Sequence, residues 1–324
     1  MTSRIRATGS YLPTREIRNQ DLKQFPASAQ ALIQEKTGIL ARRYAADDEC
    51  TSDLAAQAGR ACLLMAGCQP EEVQAIIVAT SSPDRMQPST AARAQHVLGA
   101  KNAFAFDVNS VCTGAIYALE LGNALVKSGR VTNVLILAAE VYSRILNPSD
   151  FSTCPYFGDG AGAALLEASE RSGGILHTIL KTDGSGHDVI QVPAGGTMRP
   201  YAKMASPKEQ YFTMKGREVY DFAVSRGAEV IVELLAALGL STDEVSHVIP
   251  HQANINIIKA IAEATGIPQA KFVLNLDRYG NTAAASVLIG LDELNRAGGL
   301  YAGQFALLVA FGGGLSWAAS GVRF

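Results

Sequence analysis

One run of pattern occurs twice in this chain, and it limits the fold more than any other feature. The segments AAQAGRACLLMAGCQPEEVQAIIVAT (55–80) and AVSRGAEVIVELLAALGLSTDEVSHVIPHQ (223–252) share an order of elements. Each reads as an amphipathic helix, a glycine, a short polar loop ending in Glu-Val, and an apolar strand. Val73 and Val245 set the offset at 172 residues. The same offset carries on through AARAQHVLGAKNAFAFDVNSVCTGAIYALELG and NINIIKAIAEATGIPQAKFVLNLDRYGNTAAASVLIGLDEL. Both read as helix, glycine, loop, strand, then a turn into a helix of small apolar residues. Alternating strands and helices imply mostly parallel sheets with helices packed on them. The expected division is therefore into halves 1–172 and 173–324.

Composition narrows the function. Of 324 residues, 48% are hydrophobic and 18% charged, which supplies a large core and excludes a disordered chain. The 28 basic and 30 acidic residues leave a net charge of −2 with no long block of one sign, which argues against nucleic-acid binding. Five cysteines, with no Cys-x-x-Cys, fit neither a disulfide framework nor a structural zinc site. The opening MTSRIRATGSYLPTR lacks the apolar run of a signal peptide. The uncharged stretch 305–322 contains Gly312-Gly313-Gly314 and two serines, so it reads as strand, turn, strand and not as a membrane helix. A soluble cytoplasmic protein, without membrane or metal, is expected.

Three residues stand out for chemistry. Cys112, in DVNSVCTGAIYAL, falls between a strand and a helix. Unpaired N–H groups and the partial positive charge of a helix N-terminus favour a thiolate there near neutral pH. A buried structural cysteine is the competing reading, and Cys62 and Cys68 fit it better. Cys50 reads as exposed in a charged loop, and Cys154 is ambiguous. His251, in VIPHQANINII, ends an apolar strand, where parallel α/β sheets bind ligands, although a core histidine also fits. The other histidines are weaker candidates: His96 and His247 fit surface faces, and His177 and His187 lie in strand and loop regions. Asn281, in DRYGNTAAAS, is either a functional amide or a turn and helix cap. The repeat favours the functional readings. It pairs Cys112 with Ala284 and Ala79 with His251, so two apolar central helices would bring Cys112, Asn281 and His251 to one point. FGDGAG (157–162) reads as a tight hairpin turn rather than a nucleotide loop. Gly312-Gly313-Gly314 is either a plain turn or a source of a main-chain oxyanion donor.

Together, VCTG (111–114), PHQAN (250–254), GNT (280–282) and FGGG (311–314), with GSYLPTR, KTGILARR, FGDGAGAA and the terminal VRF, resemble the 3-oxoacyl-(acyl-carrier-protein) synthase III family of the thiolase superfamily. The likeness spans nearly the whole chain. It implies an α/β, thiolase-like duplicated five-layered αβαβα fold and a homodimer. It implies that Cys112 accepts an acyl group from a primer acyl-CoA. A malonyl thioester, on carrier protein or on CoA, then loses carbon dioxide and condenses with it. It assigns His251 and Asn281 to the enolate, and the N–H groups of Cys112 and Gly313 to the oxyanion hole. Lys36, Thr37, Gln87, Phe157, Tyr220 and Asn254 become substrate-binding positions. No cofactor is implied.

Departures from the family pattern matter too. Leu32 and Phe151 stand where members often carry a tryptophan and an arginine around the CoA adenine. Gln87 replaces a phenylalanine that reaches into the partner's primer pocket. Asn256 and Asp221 occupy positions expected to be basic, which weakens docking of an acidic carrier protein. Arg199, Lys203 and Lys208, in a long loop, are candidates to replace that charge. These differences leave open fatty-acid synthesis or specialised metabolism. Alternatives are acyl transfer to an alcohol, amine or thiol, thioester hydrolysis, and a non-catalytic binding subunit.

Overall fold

The computed structural model describes residues 2–324. Its first half runs β1 (Thr2–Tyr11), β2 (Arg15–Arg18), α1 (Ala27–Thr37), β3 (Ala41–Tyr44), α2 (Thr51–Ala66), β4 (Ala75–Ala79), α3 (Thr90–Leu98), β5 (Phe104–Val108), α4 (Gly114–Lys127), β6 (Asn133–Glu140) and β7 (Gly160–Ser169). The second half runs β8 (Gly174–Thr182), the short β9 (Ile190–Gln191) and β10 (Thr213–Met214), α5 (Gly216–Leu238), β11 (His247–Pro250), α6 (Ile255–Thr265), α7 (Leu276–Tyr279), α8 (Ala285–Arg296), β12 (Phe305–Gly312) and β13 (Ser316–Arg323).

Two sheets follow one plan. The first has the order β1-β7-β6-β4-β5 and the second β8-β13-β12-β11. In the first, β4 is parallel to β5 and β6, and β7 is antiparallel to both β6 and β1. In the second, β11 is parallel to β12, and β13 is antiparallel to β12 and β8. A parallel bridge between Val248 and Phe272 stands where the second sheet would have the counterpart of β5. Helices α2 and α3 cover the first sheet; α5 covers the second, and α6 packs on α5 and joins the same hydrophobic cluster through Ile257, Ile258 and Ile261. Each of these four ends on a glycine in the left-handed region (Gly67, Gly99, Gly239, Gly266), the stop the sequence reads as helix-then-glycine.

Between the sheets lie α4 and α8. Helix α4 packs on β4 and β6 from one side and on β12 and β13 from the other. One hydrophobic cluster runs through this layer, joining Ile116, Leu119, Val287 and Leu288 to Ile136 of the first sheet and Leu308 of the second. Helix α8 is buried from Ala285 to Asp292. Its one buried charge is satisfied: Asp292 accepts hydrogen bonds from Thr8 (2.7 Å), Ser10 (2.6 Å) and Arg296 (2.8 Å), which pins α8 to β1. The expected five-layered αβαβα arrangement is the observed one.

One local reading is corrected. Residues 157–162 do not form a hairpin turn. The long connection from β6 runs alongside the Asn281 loop before entering β7: the Gly158 N–H donates to the Asn281 carbonyl (3.0 Å), and Phe157 bridges Asn281. A Cβ on Gly158 would lie 2.3 Å from the Tyr279 carbonyl, so glycine here serves close approach of two backbones. Asp159, fully buried, accepts from Ala45 N, Ser143 N and Ser143 Oγ.

Candidate active site

The N-termini of α4 and α8 meet at the centre of the molecule. A Cβ on Gly114 would stand 3.6 Å from Ala284 Cβ and 3.2 Å from Ala79 Cβ, so glycine lets the two helices and β4 converge. The backbone just ahead of each helix is strained in the same way. Val111 (φ 46°) and Ala283 (φ 44°) are the non-glycine residues at positive φ among those described, and they lie 172 residues apart. Such conformations cost about 1–3 kcal/mol each and persist where surrounding structure imposes them. Val111 turns the chain so that Cys112 sits in a single 3-10 turn, Val111–Thr113, opening α4. The Thr113 hydroxyl lies 2.8 Å from Ser110 O and 2.9 Å from Ser316 Oγ, tying this turn to the start of β13.

On the other side, Asn281 is fixed at both ends. Its N–H donates to Tyr156 O (2.8 Å), and its Oδ1 accepts the Ala283 N–H (2.9 Å). With Oδ1 engaged, the Nδ2 amide hydrogens are the free end. His251 follows β11, donates its N–H to Val309 O (2.7 Å) and packs edge-on against Phe311, ring centres 5.5 Å apart. Its Nδ1 lies 2.8 Å from Ser286 Oγ.

Cys112, His251, Asn281, Phe311 and Gly312 line one cavity of about 560 Å³. Phe157, Phe212, Ile190 and Met214 make its apolar wall, with Tyr142 stacked on Phe157 behind it at 4.9 Å. Gly312 is the tightest contact: a Cβ there would fall 2.8 Å from Cys112 Cβ and 3.1 Å from Cys112 N. Gly313, singled out in the sequence, is one residue further on, against Val111 and Ile190.

Burial dominates the electrostatics. It drives the His251 pKa down to about 3, with no carboxylate beside the ring to oppose it, so the imidazole is neutral at ordinary pH. Burial also pushes the Cys112 thiol well above its usual value, Glu140 adds to the rise, and only the Cys112 N–H opposes it. Desolvation thus works against the thiolate that the helix N-terminus favours at Cys112. Glu140, at the end of β6, is itself raised to about 7 by burial, against hydrogen bonds from Ser81 and Ser82.

The remaining expected positions divide. Lys36, Thr37, Tyr220 and Asn254 line the same cavity, Lys36 and Tyr220 being exposed. The Thr37 hydroxyl is already used within α1, donating to Ile33 O (2.5 Å) and accepting from Ile39 N (3.2 Å). Asn254 caps α6 by accepting the Asn256 N–H (2.7 Å), and both asparagine amides donate to Lys36 O, which accounts for Asn256 as a helix-end tie. Gln87 is exposed on the loop after β4 and does not line this chain's cavity. Leu32 and Phe151 do not line it either; Phe151 packs edge-on to Phe25. Asp221 lies 3.9 Å from Arg217, which lines the mouth. Arg199 pairs with Glu209 (2.7 Å), whereas Lys203 and Lys208 are exposed. Cys50 is half-buried at the N-cap of α2 and not in an open loop, its Sγ 2.9 Å from Asp53. Sequence reasoning missed the roof residues Ile190, Phe212 and Met214, as well as Ser286; it marked the Gly312–Gly314 run for close backbone approach, and Gly312 is where that approach to Cys112 occurs. Among the described residues no cluster of His, Cys, Asp or Glu is arranged to hold a metal ion, and no helix is long and apolar enough to cross a membrane.

Comparisons with known proteins agree over the whole chain. Residues 106–184 match the family model described as 3-Oxoacyl-[acyl-carrier-protein (ACP)] synthase III, and residues 235–324 match the model of its C-terminal region. A beta-ketoacyl-[acyl-carrier-protein] synthase III from Clostridium perfringens is 43% identical over 321 residues, covering 99% of each chain. The crystal structure of 3-oxoacyl-[acyl-carrier-protein] synthase III from Aquifex aeolicus superposes with a TM-score of 0.92 at 39% identity, over 99% of this chain and 100% of that one. The priming β-ketosynthase of the R1128 polyketide pathway superposes with a TM-score of 0.93 at 32% identity, over 100% and 96%.

Proposed function

The chain belongs to the 3-oxoacyl-[acyl-carrier-protein] synthase III family, and from that premise we propose that it is a condensing enzyme opening fatty-acid synthesis by joining an acyl-CoA primer to a malonyl thioester. The observation that carries the reading is the meeting of Cys112, His251, Asn281 and Gly312 in one apolar cavity.

The residues divide the work between 1–172, which carries Cys112, and 173–324, which carries His251 and Asn281. Cys112 sulfur attacks the primer thioester carbonyl. The C–S bond to CoA breaks, and the thiol proton ends on the departing CoA sulfur. Covalent catalysis of this kind splits one hard step into two. The oxyanion formed on the way takes hydrogen bonds from the N–H groups of Cys112 and Gly313. A malonyl thioester then loses carbon dioxide. The electron pair of the broken C–C bond becomes an enolate, whose oxygen faces the neutral His251 ring and Asn281 Nδ2. A neutral donor suits this step because a buried imidazolium would be costly. The enolate carbon attacks the acyl-Cys112 carbonyl, the C–S bond to Cys112 breaks, and the sulfur leaves as a thiolate that takes a proton from solvent to restore the thiol. This chemistry balances without a metal or redox cofactor.

At the mouth, Lys36 and Arg217 offer positive charge to the phosphates of CoA, and Tyr220 and Asn254 flank the acyl-bearing arm. Phe157 closes the acyl end. The enzyme is read as a cytoplasmic homodimer. Strand β5 is one edge of the first sheet, with Phe104 exposed and stacked on Phe106, which suits pairing with a second copy. The 81–89 loop is tied to the end of that strand, since Thr90 N donates to Asp107. Gln87 on this loop is thus suited to reach a partner's pocket.

The test is a panel of acyl-CoAs followed by intact-mass measurement and mapping of the adduct. An adduct on Cys112 that yields a 3-oxoacyl product with malonyl-CoA or malonyl carrier protein is expected. Free acid released without a malonyl donor would instead mark a hydrolase. Absence of any adduct with every thioester would overturn the reading.

A further inference from the structure

The His251 ring has one hydrogen-bond partner among the described residues, and it is not a carboxylate. Ser286 Oγ lies 2.8 Å from Nδ1. Ser286 is fully buried in the first turn of α8, outside the cavity wall. Its Oγ also lies 2.9 Å from Ala283 O, which accepts the Ser286 backbone N–H as well (3.3 Å). A hydroxyl has a single proton to give, so two arrangements exist. In one, the hydroxyl donates to Nδ1, and a neutral ring then carries its hydrogen on Nε2. In the other, the hydroxyl donates to Ala283 O and accepts from Nδ1–H, which leaves Nε2 as a bare lone pair.

We propose that Ser286 donates to Nδ1 and so holds His251 as the Nε2–H tautomer, making Ser286 a positioning residue for the decarboxylation step. This rests on the function proposed above. Three observations favour it. The Ala283 carbonyl keeps a donor, the Ser286 N–H, when the hydroxyl turns to the ring, so no buried acceptor is orphaned. Phe311, edge-on at 71°, packs against the ring and opposes a flip that would exchange its nitrogens. The third is chemical. Asn281 Oδ1 accepts the Ala283 N–H, which orients the amide and leaves its Nδ2 hydrogens as the unpaired donors. An Nε2–H beside it gives the enolate two convergent donors, whereas an Nε2 lone pair would repel it. Ala283 lies at the join of both ties, its N–H holding Asn281 and its carbonyl next to Ser286. The strained residue ahead of α8 thereby sets the orientation of both donors.

The experiment uses the full-length protein labelled with [15N]histidine, in long-range 1H–15N spectra, with the His251 signal identified as the one missing in His251→Asn. The wild type should show protonated Nε2 and bare Nδ1. Ser286→Ala should shift this population toward Nδ1–H. It should also lower kcat for condensation by about 10- to 100-fold, by analogy with the loss when the outer partner orienting a metal-bound histidine is removed. KM for malonyl-CoA and the extent of Cys112 acylation should be unchanged. Ser286→Thr, which keeps the hydroxyl, should restore the tautomer and most of the rate. Protonated Nδ1 in the resting wild type overturns the proposal. So does a Ser286→Ala protein with unchanged tautomer, whether its rates hold or fall equally in both half-reactions. If the wild type forms no condensation product, the proposed function fails, and the nitrogen shifts still decide the role of Ser286.

Discussion

Position for position, the N-terminal half has Cys112 where the C-terminal half has Ala284, and Ala79 where the other has His251. At the ends of the matching strands β6 and β12 stand Glu140 and Gly312, again 172 residues apart. The backbones have diverged far less. Strand order, strand direction and central helices correspond, and even the left-handed strain recurs at Val111 and Ala283. The comparison teaches that duplication preserved the costly geometry and distributed the chemistry. Strain that aims a nucleophile in one half aims an amide in the other. The space left by Gly312 is occupied by Cys112, while Glu140 fills its own with a carboxyl held by Ser81 and Ser82.

The sharpest way to break this division is to remove each half's contribution separately. Cys112→Ala should abolish both the acyl adduct and the product, read by intact mass. Asn281→Ala should still acylate and should lose about 10²–10³-fold in condensation, the usual cost of one oxyanion-type donor. If Asn281→Ala also failed to acylate, the halves would not act separately. Next comes Gly312→Ala. Its Cβ cannot fit beside Cys112 without backbone movement, so about 1–3 kcal/mol of stability should be lost, by urea melting, together with acylation rate.

A smaller effect tests the buried ionisable groups, whose linkage has opposite signs in the two halves. His251 is neutral when folded, with its pKa depressed from 6.5 to about 3. Its contribution is therefore complete above about pH 6.5 and is lost as the pH falls toward 3. Glu140 has its pKa raised from 4.5 to about 7, so its contribution is complete below about pH 4.5 and is lost as the pH rises through 7. Urea midpoints against pH should show His251→Asn gaining on the wild type on acidification. Glu140→Gln should gain on it between pH 4.5 and 7. Parallel curves would show that neither group is held as described. The smallest expected change is Ala283→Gly, where relief of strain offsets the looser unfolded chain and leaves stability within about 1 kcal/mol of wild type. Val111→Gly should fall below it, because Val111 also packs against Gly313 and the roof.

Much of this was legible in the sequence because a duplicated pattern carries its own register. The offset fixed by Val73 and Val245 aligned two sheets and brought three distant residues to one point. Where the reading failed, the deciding contact came from elsewhere in the chain. FGDGAG has the composition of a turn, and only the neighbouring Tyr279 carbonyl reveals why Gly158 must lack a side chain. Phe212 and Met214 sit in a loop without periodicity, so nothing local marks them as a roof. Thr37 has the right type for a ligand contact, yet its hydroxyl is spent inside its own helix. Ser286 lay hidden in a helix of small residues, where a hydroxyl looks like packing. At Cys112 the helix terminus is visible in sequence, and the depth of burial that works against it is not.

The layer of α4 and α8 has a further consequence, for how the molecule comes apart. Each of these helices is roofed by one sheet and floored by the other, with the Ile116–Leu288 cluster continuous between them. Cutting the chain between β7 and β8 would strip each sheet of one covered face and leave an apolar plane open to water. Loosening either half therefore exposes the other, and the two should melt as a single cooperative unit despite their separate sheets. A ligand seated where the helix tips meet would brace both halves at once, so primer acylation should raise the melting temperature of the whole chain in one step.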